Sequence, residues 1–477
     1  MGERTSCIFP ITFNQSLVVE TREEKLSSDG GAILLREIDQ KLQILQDLVN
    51  NLDDPRHPSK ITHPLIELLR TRVYLIAQGW KDADDADKLR DDPAILTAVS
   101  SRKGTKPLKS NKESANVLQT MASQPTLSRL LEYLADPHNR KALRKFLIKA
   151  AKASLRAMGI TKFTHCTIDI DSFAITIYGH QAGGNFNGYY KDTCYHILVA
   201  MLAETGDILD IQLREGNVAS ADQLDEFLFP LIEEVKQNLG DSVSVRGDAG
   251  MPSEPIMSEL EARGKGYCFR VKSNSVLEIL AKPYLDNLPP RQPNNMREWV
   301  AELKYQAVSW SHPRRIVMVV VEQEQIDLFE PHNHFFLVTD WNMEQISGAE
   351  LLEFYRQRGT MERWIGEFKD VLQPSLSCAS RPRNKSEQPI KRDDFACNEA
   401  LLLLHALAYN LLNIVRRMME QATDEAWSLR RVREQVLKAA VHFTLHARRI
   451  WAWVAKPAAC LWNKLGCWML SPQLVGT

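Results

Sequence analysis

The chain has 477 residues and a formal net charge of −1, long enough for two or three domains with a substantial core. A composition of 44% hydrophobic and 25% charged residues is that of a globular protein and excludes a disordered or fibrous one. No basic and apolar leader opens the chain and no uninterrupted apolar run reaches the roughly 20 residues of a membrane span, so a cytoplasmic protein without membrane association is expected.

After a short β-prone opening, Ile11 to Val19, the first 160 residues read as mainly helical. Asp29-Gly30-Gly31 punctuates the opening, and apolar residues then recur at helical spacing through Ile33, Leu34, Ile38, Leu42 and Leu45. Ile61–Gly79 and Leu127–Met158 continue the pattern. Ser123-Gln-Pro-Thr-Leu-Ser-Arg129 reads as a helix start, with Thr126 or Ser128 as cap and Arg129 in the first turns. It is compatible with a helix-turn-helix reader and equally with a plain helical scaffold. Residues 101–162 hold 14 Lys or Arg against three acids, a balance of +11, and residues 371–477 hold 15 against eight, +7. Basic stretches at both ends suit a phosphate backbone, or else form solvated basic helices.

From Phe163 the period becomes that of strands. Strands are predicted at Phe163–Ile170, Tyr195–Leu202 and Ile208–Arg214, then a helix near Ala221–Leu239, a strand at Val243–Arg246, a helix near Ser253–Arg263 and a strand at Tyr267–Val271. That order predicts a mixed α/β core. Ser273–His334 departs from it. The Pro-rich stretch Lys282–Asn295 and strands around Tyr305–Trp310 and Arg315–Val321 predict a β-rich insertion, after which Phe335–Asp340 resumes the core. Leu401–Leu412, interrupted by His405 and Asn410, reads as a buried helix. Eight cysteines without Cys-x-x-Cys spacing point to reduced thiols, several packed in the core, rather than to structural zinc or a disulfide framework.

The chemistry concentrates in three places. Tyr355, Arg358, Glu362 and Lys369 fall within roughly 60° of one another around a helix axis, so one face carries a carboxylate among a phenol and two cations. Taken alone, this is a solvated salt-bridge stripe or a site. Upstream, alternation puts Asp169 and Asp171 on one strand face, and Val243–Arg246 is followed by Gly247-Asp248-Ala249-Gly250. Carboxylates from two strand ends and a helix could form an oxygen-rich cage for two magnesium ions bridging a scissile phosphate, since this hard cation prefers oxygen ligands.

In this combination the chain resembles the DDE transposases of bacterial insertion sequences, in the branch marked by a Tyr-Arg-Glu-Lys signature. Asp169-Ile-Asp171-Ser172, Asn187-Gly188-Tyr189-Tyr190, Arg246-Gly-Asp248-Ala-Gly250 and Ser123–Arg129 resemble its thirteen-eighty family, over roughly Phe13 to Met419. The resemblance implies a ribonuclease H-like catalytic core with Asp171, Asp248 and Glu362 as catalytic and metal-binding acids. Asp169 is the alternative first acid. Asp171 is preferred because relatives place a hydroxyl residue after the first acid, as Ser172 does here, while Phe173 departs from the small residue usual there.

Tyr355, Arg358 and Lys369 would grip DNA phosphates, and Arg129 would belong to the DNA-binding region. The implied layout is a mainly helical DNA-binding region at 1–160, a core at 161–272 and 335–415, a β-rich insertion at 273–334 and a helical basic region at 416–477. The separation of 114 residues between Asp248 and Glu362 leaves room for the insertion. The expected cofactors are two Mg2+ ions, with Mn2+ able to substitute. The expected partners are double-stranded DNA, as element ends and target, and a second copy of the chain in a homodimeric synaptic complex. A ribonuclease H-like nuclease or junction resolvase, and a catalytically silent DNA-binding descendant, are the alternatives. The Tyr-Arg-Glu-Lys pattern disfavours the first, and acids at all three positions disfavour the second.

Overall fold

Apolar residues at helical spacing from Ile33 to Leu42 give a helix one buried stripe, and the computed structural model places helix α1 there, at Gly31–Leu42. The structure describes residues 24–100, 121–289, 297–322, 332–378, 393–446 and 449–469, with two short strands at Phe9–Pro10 and Val18–Val19. Leu65–Ala77 (α2), Gln124–Leu134 (α3) and Pro137–Ala157 (α4) follow. Pro125 and Pro137 sit in first turns, where a missing N–H costs little. The cap expected at Thr126 or Ser128 is instead Ser123, whose hydroxyl meets that of Thr126 at 3.2 Å.

The strand period builds one sheet. Phe163–Thr176 (β1) pairs antiparallel with Asp192–Leu202 (β2), and β2 with Ile208–Arg214 (β3). On its other side β1 runs parallel to Gly240–Gly247 (β4), and β4 parallel to Tyr267–Val271 (β5). Parallel neighbours need long crossovers, supplied by helices Leu224–Asn238 (α5) and Glu254–Ala262 (α6).

The segment expected as a β-rich insertion does not stand apart from this sheet. Glu298–Tyr305 (β6), Arg314–Glu322 (β7) and His332–Thr339 (β8) continue it as an antiparallel meander, with β8 paired to β5. Two details differ from expectation. Trp310 lies in the turn after β6 rather than in a strand, and a helix, Ser275–Leu285 (α7), takes in the start of the Pro-rich stretch, with Pro283 inside it. Residues 290–296 of that stretch lie outside the described residues.

The two faces of the sheet bury different layers. Ile168, Ile170, Leu198 and Val245 pack against α5 and α6, while Phe173, Ile197, Val199 and Ile211 join the core of the helical part. After Gly348–Arg356 (α8) and Gly359–Glu367 (α9), the centre of that helical part is Asp394–Thr423 (α10), which contains the apolar run expected at Leu401–Leu412. By length and composition α10 could cross a membrane, but 94% of its apolar window is buried inside the protein. Of its polar interruptions, His405 bonds within the helix to the Leu401 carbonyl, while Asn410, with Asn413 beyond it, pins the helix to the sheet. The Asn410 amide accepts from the Ile208 N–H and donates to the Ile208 carbonyl, both at 2.8 Å, and Asn413 donates to Asp207 at 2.7 Å.

Described residues from early and late in the chain meet in this core. Leu26–Ser27 pairs with Val441–His446 (β9), which pairs with Arg449–Val454 (β10), and Lys456–Met469 (α11) packs behind. The region expected to be helical from 416 onward thus carries a hairpin. Gly30 and Gly31 are required here, because a Cβ on either would lie 2.2 Å from Val441 Cγ2 or Leu437 Cα. Cys166, Cys194, Cys268, Cys378 and Cys397 are free and buried, Cys460 and Cys467 are free and exposed, and Cys7 lies outside the described residues.

The basic balance of 101–162 is partly spent on docking. Arg140 pairs with Glu399, Arg144 with Asp210 at 2.7 Å, Lys145 with Glu234 at 3.4 Å and Lys162 with Asp241 at 2.8 Å. Arg129, Lys141, Lys149 and Arg156 are exposed, and Arg102, Lys103, Lys106, Lys109 and Lys112 lie outside the described residues. A polypeptide ending at Lys162 should therefore lack a cooperative melting transition by circular dichroism, since its helices share their core with α10 and α11. A cooperative melt of that fragment would refute the shared core.

Candidate active site

Strand pleating sends Asp169 and Asp171 to the same face of β1, but their surroundings separate them. Asp169 and Arg246 are register partners on the parallel strands β1 and β4. Their side chains form a two-pronged ion pair, Nε to Oδ1 at 2.6 Å and Nη2 to Oδ2 at 2.8 Å, each 1% exposed. Burial pushes the Asp169 carboxyl up, opposed by Arg246. Arg246 has a third partner: it donates to the Phe354 carbonyl in the last turn of α8 and lies 4.8 Å from the Phe354 ring centroid. One guanidinium therefore joins β1, β4 and the C-terminus of α8, where a helix carbonyl lacks an intrahelical partner.

Two residues further along come acids, Asp171 within β1 and Asp248 just past the end of β4. Ile170 pairs with Gly247, so Asp171 and Asp248 follow side by side. Asp171 keeps 17% of its side chain exposed and is held by Arg358, Nη2 to Oδ2 at 2.7 Å, and by the Ser172 N–H at 2.8 Å. Burial raises its carboxyl to about 6, against the attraction of Arg358 and with the charges of Asp248 and Glu362 adding to the rise. The other arm of Arg358 reaches Glu362 at 2.6 Å. Arg358 is only 9% exposed and Glu362 61%, so the site is closed at Asp171 and open to solvent at Glu362.

The single helix expected across Tyr355–Lys369 is three pieces. The Ser347–Glu350 capping box opens α8, which ends at Arg356. Arg358 is the N-cap of α9, and Lys369 lies in a wider turn, Phe368–Leu372. The common face survives in part. Arg358 and Glu362 meet at i,i+4, as helix geometry allows, and Tyr355 is half-buried beside Phe335, its phenol pushed up to about 12 by burial. Lys369 instead stands 5.9 Å from the Phe173 ring centroid. Phe173 also packs edge-on to Phe368, which gives the large residue after Ser172 a packing role. Arg129 is exposed on α3 and bonded to Thr126 at 3.4 Å, with none of its described contacts to the acids.

Two neighbours of Asp171 were not assigned from sequence. Tyr190 donates to the Ser172 carbonyl at 3.4 Å, and Ser220 meets the Ser172 hydroxyl at 3.0 Å. The signal for Tyr190 was its Asn187-Gly188-Tyr189-Tyr190 run, where Asn187 Oδ1 accepts the N–H groups of Tyr189 and Tyr190 in a tight turn.

Among the described residues, no three His, Cys, Asp or Glu side chains stand together as a group able to hold a metal ion. The donor chemistry nonetheless fits a hard divalent cation. Asp171, Asp248 and Glu362 offer only oxygen, and their mutual repulsion marks a place where positive charge is favoured. As the side chains stand, Arg358 provides that charge, so cation binding requires the carboxylates to draw together and Arg358 to give way.

The sequence matches the family described as "Transposase DDE domain group 1" over residues 9–465. No curated protein matches the chain. Among solved structures it is similar to the piggyBac transposase in its synaptic complex with hairpin DNA, at 13% identity over 85% of this chain and 77% of that one, with a TM-score of 0.39.

The two β1 acids should respond differently to neutralisation. Asp169→Asn strands the buried Arg246 charge and should cost about 3–5 kcal/mol, whereas the double change Asp169→Leu with Arg246→Met should recover much of that. Asp171→Asn should cost far less. Denaturant unfolding reads the ranking, and equal losses at Asp169 and Asp171 would contradict it.

Proposed function

We propose, because the chain belongs to the group 1 family of DDE-domain transposases, that it cleaves DNA at the terminal inverted repeats of an insertion sequence. It then joins the freed 3′ hydroxyls to target DNA. The observation that carries the site assignment is Arg358, which holds the carboxylates of β1 and α9 to one guanidinium, next to the adjoining acid Asp248. On this reading Asp171, Asp248 and Glu362 are the catalytic acids, and Asp169 is a positioning residue. The order β3-β2-β1-β4-β5, antiparallel on one side of β1 and parallel on the other, supports a ribonuclease H-like core. The motifs around Asp171, Tyr190 and Asp248 support the thirteen-eighty branch of bacterial elements, and with it a cytoplasmic enzyme working as a homodimer on paired ends.

Asp171, Asp248 and Glu362 would hold two Mg2+ ions, or Mn2+ in their place, which supply charge neutralisation at phosphorus and acidify the attacking water. The protein's own part is positioning. Arg246 and Asp169 hold Asp171, within β1, beside Asp248 just past the end of β4. Arg358 can trade its carboxylate partners for a phosphate of the cleaved end, in the two-donor geometry that a guanidinium provides and an ammonium does not. Tyr355 and Lys369 flank it for further phosphate contact.

Asp171→Asn, Asp248→Asn and Glu362→Gln should each abolish cutting of a labelled element end in Mg2+, with end binding largely kept. DNA grip depends chiefly on cations elsewhere. Cleavage retained in any one of the three removes that residue from the set.

Arg358→Ala should impair joining of a pre-cleaved end, and Arg358→Lys should restore only part of the loss. Wild-type joining by Arg358→Ala would return Arg358 to a purely structural role.

A further inference from the structure

The β9–β10 hairpin has two faces of opposite character. Its inner face is core: Val441 and Phe443 are buried, with Ile450, Val454 and Trp462 packed against them. Its outer face is not. Trp451 and Trp453 are 42% and 56% exposed and stack on each other, ring centroids 5.5 Å apart and planes 15° apart. Trp453 is fixed by its indole N–H, which donates to the Thr444 hydroxyl at 2.9 Å. Across the register Thr444 stands opposite Trp451, His442 opposite Trp453, and Leu26, 57% exposed, opposite His442. Two indoles held outward leave unburied the area that makes tryptophan valuable to a core.

The hairpin and the helix that follows it carry charge of one sign. From Gln435 to Thr477 the sequence contains no Asp or Glu and five cations: Lys438, Arg448, Arg449, Lys456 and Lys464. Lys438 is taken up by Asp29 at 2.6 Å, and Arg448 lies outside the described residues. Arg449, Lys456 and Lys464 are exposed. Lys456, two residues past the end of β10, opens a shallow groove of about 770 Å3 along α11, lined also by Ala422, Ala459, Cys460, Asn463, Lys464 and Cys467. Glu24, two residues before Leu26, stands at the far edge of the small sheet. Exposed aromatic faces beside unopposed cations form a platform for a polyanion that carries flat apolar rings.

We propose that this outer face and the adjoining groove form a DNA interface separate from the acid cluster. Unpaired bases stack on Trp451 and Trp453, and the backbone phosphates run along Arg449, Lys456 and Lys464. The proposal rests on the chain acting on DNA, not on which acids cut it. Charge selects this occupant over a protein partner, because a surface with cations and no nearby acids on its own strands complements a phosphate chain.

The test is fluorescence anisotropy of a labelled single-stranded oligonucleotide of about 20 nucleotides with the full chain at several salt concentrations. The double variant Trp451→Ala, Trp453→Ala should bind it at least about tenfold more weakly, since each lost stack is worth ~1–3 kcal/mol. The double variant Trp451→Tyr, Trp453→Tyr should keep most of the affinity. Arg449→Gln with Lys464→Gln should lessen the salt dependence. Single-strand affinity within about twofold of wild type in the alanine variant overturns the proposal. So does a fall in molecular mass by light scattering in that variant with DNA binding unchanged, which would assign the face to a second copy of the chain. Wild-type protein that binds neither single-stranded nor duplex DNA would sink the transposase reading itself, an outcome distinct from failure of the hairpin alone.

Discussion

The geometry of the site depends on one buried ion pair. Withdrawing Asp169 and Arg246 from water costs several kcal/mol per ion, repaid only where geometry is good and every donor is used. Here the pair is two-pronged and the remaining arm of Arg246 is taken by the Phe354 carbonyl. A slip of one residue between β1 and β4 would turn one partner to the opposite face and leave a bare charge in the core. The pair therefore fixes the register, and the register sets Asp171 beside Asp248. Because Arg246 also holds the end of α8, the same pair locates the start of α9 and with it Glu362.

The helical part supports the sheet through pins rather than through apolar packing alone. Asn410, Asn413 and Arg416 of α10 bond to Thr205, Asp207 and Ile208 at the turn between β2 and β3. Asp210 is gripped by Arg144 of α4. Residues that look like flaws in an apolar helix set its rotation and height against the sheet. An unpaired buried polar group is costly, so a shifted seating of α10 that broke these bonds would be disfavoured.

Much of the core was legible because strand period and turn chemistry are local. Ile208–Arg214 and Tyr267–Val271 fall where alternation put them. The break between α8 and α9 was not legible as a break, because Tyr355 to Lys369 keeps a helical pattern on both sides and what captures the last turn of α8 is Arg246, more than 100 residues earlier. The division between Asp169 and Asp171 was open for the same reason. Alternation puts both on one face, and only the partner strand decides which is consumed. Net charge alone left the fate of the cations in 101–162 open, since it cannot tell one aimed at solvent from one aimed at Glu399 or Asp210. The β6 strand was misplaced toward Trp310, whose aromatic ring belongs to a turn packed on Tyr305.

The pairing of Leu26–Ser27 with β9 has a consequence for the order of synthesis. Leu26 and Ser27 find their strand partner only when residues 441 and 442, more than 400 positions later, emerge from the ribosome. Until then Gly30 and Gly31 have no Val441 or Leu437 to pack against, and α1 has an open flank. The core of the helical part is therefore closed only late, and a chain interrupted before residue 441 leaves that flank of α1 unfinished.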